Sequence, residues 1–168
     1  MNKRGDVASI IYVVIFIAIV GMLFFLISHL NNLIFTEFEN TLGNSSDFSD
    51  TQALLTVNEI KASDAAVWDY AFLGIFLGSL IAIGLSAYAV KISPVFFWIY
   101  GLLSLLVLGL GVVLSNLWQS WSANPEFAAT LVRFPITNAV LGSYYPLVVT
   151  AIIILAMVLI FGKTGGNQ

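Results

Sequence analysis

A chain of 168 residues that is 60% apolar and only 9% charged departs far from soluble domains, in which about a quarter of residues are charged. A soluble fold this short buries only about two thirds of the surface its chain exposes, so lipid has to solvate much of the rest. The net charge of −3 argues against phosphate-directed nucleic-acid binding, and the lack of cysteine excludes disulfides, thiolate metal sites and cysteine nucleophiles.

Charged residues punctuate the chain. Charge-free stretches run from Val7 to Thr36, Tyr70 to Val90, Ile92 to Pro125 and Phe134 to Gly162. Each exceeds the ~20 residues a helix needs to cross a bilayer. A charge near the bilayer centre costs about 2.5–3.5 kcal/mol, which explains the gaps. Backbone polar groups in lipid must be satisfied within the segment, and continuous rather than alternating apolar runs rule out a barrel. The expected fold is therefore all-α: one integral membrane domain, 1–168, with four transmembrane helices over about 8–34, 66–90, 94–117 and 144–162. Outer loops fall at 35–65 and 118–143, and short amphipathic helices are expected in both.

The first span follows Lys3 and Arg4 and reads as a retained anchor, too long for a cleaved secretory signal. Lys3-Arg4-Gly5-Asp6 ahead of an apolar helix is similar to the processing site of archaeal type IV pilin-like precursors, where cleavage follows the glycine. Pilin-like proteins usually have one such helix, whereas three more spans follow here. His29, the single histidine, lies near the outer end with Asn31 and Asn32 and reads as a polar residue at headgroup level. The helix should continue toward Leu42 and stop at Gly43-Asn44. Asn44-Ser45-Ser46 fits the N-glycosylation pattern.

Asp47 to Asp50 forms a polar loop, and Asp50 is placed to cap a short helix from Thr51 to Lys61 with Leu54, Val57 and Ile60 on one face. Ser63 or Asp64 then caps the second span. Trp68 and Tyr70 sit where an interfacial aromatic belt belongs, and Asp69 is expected at the outer aqueous boundary. Gly74, Gly78, Ala82 and Ser86 recur every fourth residue, a spacing that lets another backbone approach closely. That face suits packing inside the chain's own bundle or against a second copy.

The tight Lys91-Ile92-Ser93 connection leads to Pro94, which opens the third span; Phe96, Phe97, Trp98 and Tyr100 follow at the inner interface. Gly109, Gly111 and Ser115 offer a second small-residue face, and Trp118 and Trp121 flank the outer end. Asn124-Pro125-Glu126 combines cap, proline and early acid, a helix start. Phe127, Leu131 and Phe134 recur at helical spacing, so this helix lies either on the outer leaflet or seated on the other spans, and Pro135 ends or kinks it. With four spans, Lys3, Arg4, Lys91 and Lys163 share one side, which makes both termini inside.

No signature of an enzyme, nucleotide site or metal site is present, so no catalytic residue, cofactor or metal ligand is expected. Mid-depth ionisable residues and Gly/Pro-interrupted helices, the marks of transporters, are not evident either. Ser115-Asn116-Leu117-Trp118, Asn124 to Ala129, Phe134 to Asn138 and the span ending Gly162-Lys163 resemble small multi-span membrane proteins of tailless icosahedral viruses with an internal lipid membrane. The resemblance covers about residues 94–163 and implies a structural protein of a viral membrane beneath a capsid. The expected function is a non-enzymatic structural or assembly protein whose partners are the lipid bilayer, other membrane or coat proteins and a second copy of the chain. A holin-like channel former, and a small transporter or accessory subunit, are the alternatives.

Overall fold

A computed structural model describes residues 6–44, 52–89 and 96–162. All its elements are helical: α1 (Asp6–Gly43), α2 (Gln52–Ala89), α3 (Phe96–Ser122), a 3-10 turn (Pro125–Phe127), α4 (Ala128–Leu131), α5 (Pro135–Leu141) and α6 (Tyr145–Phe161). α1, α2 and α3 are each long and apolar enough to cross a membrane. α5 and α6 together make a fourth crossing if they are taken as one span, bent by 69°.

α1 is unbroken for 38 residues because nothing between Asp6 and Gly43 interrupts it, and it stops at the expected glycine. α2 corrects the reading of the first loop. It is a single helix of 38 residues from Gln52, with no break before the apolar run. Ser63 donates its hydroxyl back to the Ile60 carbonyl (3.1 Å), and Asp64 reaches across to α1, so neither starts a helix. α6 coincides with the fourth expected span, 144–162, and the chain turns sharply at residues 142–144 between the short α5 and α6. Gly142 is needed at this corner, because a Cβ there would lie 2.5 Å from the Asn138 carbonyl oxygen.

α1 packs most extensively on α2, and α6 lies against α3 and α2. The core runs through Val14, Ile17, Phe25, Phe72, Val107 and Val149, all at or below 1% exposure. Two glycines permit its closest approaches. A Cβ on Gly21 of α1 would lie 2.5 Å from Leu141 and 2.9 Å from Phe72; one on Gly111 of α3 would lie 3.0 Å from Val149. Ile10, Ala87 and Ile160 line a common cavity of about 70 Å³, so the first and last described helices begin and finish at the same end of the bundle. Lys3, Arg4, Ser45 to Thr51, Lys91 to Pro94 and Lys163, and with them the Asp50 cap, all but Asn44 of the glycosylation triplet and all but Asp6 of the pilin-like site, lie outside the described residues.

Candidate functional site

At the end of the bundle away from the termini, polar side chains gather around the segment 125–142. Asp69 of α2 is 2% exposed. Its Oδ2 accepts the Ile136 N–H (2.9 Å), and its Oδ1 accepts both the Thr137 N–H and the Thr137 hydroxyl (2.7 Å each). Pro135 opens α5 without an N–H, and Phe134 before it supplies no capping side chain. The first free donors of α5 therefore need an acceptor from elsewhere. α2 provides it, and the helix dipole favours the negative charge at that point. The structure thus moves Asp69 from the expected aqueous boundary into the protein.

Asp64, five residues earlier on α2, binds α1. It accepts Ser28 Oγ (2.7 Å), Asn31 Nδ2 (2.9 Å) and the Nε1 of Trp68 (3.1 Å). Arg133 follows α4 and donates to the Lys61 carbonyl of α2 and to Asn32 Oδ1 of α1 (3.4 Å). Lys61 in turn pairs with Glu39. His29 Nδ1 lies 2.9 Å from Thr130 Oγ1, and its ring meets the edge of Phe127 at 4.7 Å. From α3, Trp118 Nε1 donates to Asn138 Oδ1 (2.9 Å), and Ser115 Oγ donates to the Gly142 carbonyl (2.6 Å). Phe25 is the apolar centre, edge-on to Trp118, Phe127 and Phe134 at 5.2–5.5 Å.

The segment 125–142 is thereby fastened to α1, α2 and α3 at once. Arg133, Thr130, Thr137 and Asn138 of the segment each meet a partner from this same chain, an arrangement suited to holding backbone in place. Closer to the termini the core is apolar, with Val14, Ile17, Ala18, Ile153, Ala156 and Ile160 buried. The Tyr145 hydroxyl there donates to the Val14 carbonyl, and Ser104 bonds its own helix at the Tyr100 carbonyl (2.7 Å). Among the described residues no group of three His, Asp or Glu side chains comes together to hold a metal ion.

The residues singled out from the sequence divide. Trp118, expected at the lipid interface, is 1% exposed and points into the protein. Phe127 and Leu131 are half-buried against the core and Phe134 is fully buried, so this helix is seated on the other spans instead of lying apart from them. Trp121 and Trp68 also pack on the core, whereas Tyr70 is 67% exposed. Of the small residues, Gly111 makes a tight helix contact. Gly74, Gly78 and Gly109 have nothing within 4 Å of an added Cβ. Ala82 and Ser86 are exposed at the rim of the cavity shared with Ile10, Ile83 and Ile160. Gly74 and Gly78 thus face away from this chain's own bundle, whereas Ala82 and Ser86 border a cavity between its helices. Gly21, Ser28, Thr137 and Arg133 take structural parts that the sequence reading missed.

Arg133→Met keeps the apolar stem and removes the donors that tie α4 to Asn32 and Lys61. The expected loss is about 1–2 kcal/mol of stability, measured by thermal unfolding in mild detergent. An unchanged transition would show that the guanidinium contacts contribute nothing. Compared with protein-family models, curated proteins and solved structures, the chain matches none.

Proposed function

We propose that this chain is a structural and assembly protein of a membrane, with both termini inside, that packs its helices in lipid and contacts neighbouring proteins through its outer elements. The observation that supports this reading is the division of its interior. At one end, polar groups lock the segment 125–142 onto three helices. Toward the other end the core of the described residues is mostly aliphatic, and the buried Tyr145 and Ser104 hydroxyls there are bonded to backbone carbonyls. The buried Asp69 and the bent fourth crossing, which in another setting would suggest transport, are used here against each other: the carboxylate caps the helix that the bend creates. The resemblance of residues 94–163 to viral membrane proteins supports the internal membrane of a virion as the setting of this proposal, with coat proteins as the proposed neighbours.

The second reading, a channel made by several copies, is favoured by the exposed stripe of Gly74, Gly78, Ala82 and Ser86. Liposome flux separates the two. Purified full-length chain reconstituted with trapped pH-sensitive and K+-sensitive dyes should leak no faster than empty vesicles. Protein-dependent leakage that rises with a power of the protein-to-lipid ratio would overturn the scaffold reading in favour of the pore.

A further inference from the structure

The cavity at the end of the bundle near the termini lies between three helices and has a volume of about 70 Å³. α1 contributes Ile10 and Val13 to its walls, α6 contributes Ile160, and α2 contributes Ile83, with Ala82 and Ser86 exposed at the mouth. Ile10 and Ser86 each lie within about 6 Å of the end of their helix, so the mouth opens at the edge of the hydrocarbon. From there the cavity extends one turn deeper, to Val13 and Ala82. Water does not suit it, because a buried water needs roughly two to four polar partners and these walls offer a single hydroxyl. Left empty, the cavity would forfeit the dispersion contacts of its walls.

Ser86 sets this mouth apart chemically. A serine or threonine hydroxyl within a helix ordinarily finds an acceptor on the protein. Ser79, Ser104 and Thr150 donate to the carbonyl one turn back on their own helices, and Ser28 and Ser115 donate to other elements. The Ser86 hydroxyl has no such partner among the described residues. Resting on the membrane placement that the structural reading also uses, we propose that this cavity is a lipid site. It holds a stretch of one acyl chain of a glycerophospholipid from the leaflet at the termini, and Ser86 donates to an oxygen of that lipid's glycerol linkage. The direction fits, since an acyl chain leaves its glycerol at the edge of the hydrocarbon and runs inward, as the cavity runs from Ser86 to Val13. At roughly 30 Å³ for a group the size of a water or a methylene, the volume takes about two, so a bend or branch of the chain is gripped and the remainder stays in bulk lipid. A helix from a second copy, about 10 Å across, is too wide to enter.

The test places the full chain in phosphatidylcholine nanodiscs doped with a phosphatidylcholine that carries a diazirine near the glycerol end of one acyl chain. After illumination, mass spectrometry of peptides maps the crosslinks. Ile83 is 4% exposed and is reached through the cavity, whereas Leu102 and Leu105 of α3 are 72% and 67% exposed to bulk lipid. The ring contact of Tyr100 with Phe161 sets that part of α3 level with the end of α6, so depth is matched. Crosslinks at Val13 and Ile83 should exceed those at Leu102 and Leu105 about fivefold or more. Ala82→Phe fills the mouth and should bring Val13 and Ile83 down to the α3 level or below. Ser86→Ala changes only an exposed hydroxyl, so it should keep the melting temperature and lower the preference about threefold or more. Crosslinking no greater at Val13 and Ile83 than on α3 would mean that only bulk lipid surrounds the chain, and the site would not exist. A preference unchanged in Ser86→Ala would equally overturn the proposal. Tight liposomes with such crosslinking remove the lipid site and leave the structural reading standing. Leaking liposomes remove the structural reading whatever the crosslinks show.

Discussion

Asp69→Ala is expected to lower the melting temperature of the detergent-solubilised chain by roughly 10 °C, the shift that about 3–5 kcal/mol produces in a domain of this size. The carboxylate is 2% exposed and accepts three hydrogen bonds, so its removal strands the Ile136 and Thr137 N–H groups and the Thr137 hydroxyl where water cannot reach them easily. An orphaned buried donor costs about 1–3 kcal/mol, and partial relaxation of α5 keeps the total below the full sum. Asp69→Asn should fall between: one oxygen remains for Thr137, but an NH2 group now confronts a neighbouring N–H. Thr137→Val leaves both backbone bonds intact and should cost only about 1 kcal/mol. Amide exchange separates this capping role from general loosening. Ile136 and Thr137 should lose protection first in Asp69→Asn, while amides in the middle of α3 stay slow. A melting temperature within two or three degrees of the parent for Asp69→Ala would sink the account, because it would mean that α5 does not depend on α2 for its cap.

The apolar helices were legible because a bilayer imposes one rule on every span: a charge-free run of sufficient length. α1 stops at Gly43 for a reason visible locally, and α6 starts at Tyr145, close to where the charge-free run and turn residues place it. What escaped was everything decided between helices. Asp50, Ser63 and Asp64 all suit a helix start, yet α2 passes through 63 and 64 without a break, because Asp64 has better donors on α1. Period-four small residues signal close packing without saying against what, so the stripe on α2 was indistinguishable from a core face. The seating of 125–142 was open for the same reason: Phe127, Leu131 and Phe134 form an apolar face that lipid or Phe25 would satisfy equally. One clue to Asp69 was present. Pro135 begins a helix after Phe134, which has no capping oxygen, so an acceptor had to come from a distant part of the chain. Asp69, the acid nearest to an apolar run, was the available candidate.

Gly21 and Gly78 should respond to the same substitution in opposite ways. Gly21 lies on α1 where a Cβ would come within 2.5 Å of Leu141 and 2.9 Å of Phe72. Both neighbours end in side-chain atoms, but they are 1% and 0% exposed and have no free space to turn into. Gly21→Ala should therefore cost about 1–3 kcal/mol through displaced core side chains, and Gly21→Val about 3 kcal/mol or more, enough to part α1 from α5. Gly78 of α2 has nothing within 4 Å of an added Cβ. Gly78→Ala should leave the fold intact and add about 0.5–1 kcal/mol through helix propensity alone. Side-by-side thermal melts of the two alanine variants in the same detergent decide the matter. A loss at Gly78 as large as that at Gly21 would mean that α2 turns its glycines toward its own bundle, and the outward stripe that favours contact between copies would no longer exist. A loss at Gly21 alone places the tight crossing of the fold on α1, where the sequence shows one glycine without a repeat to announce it.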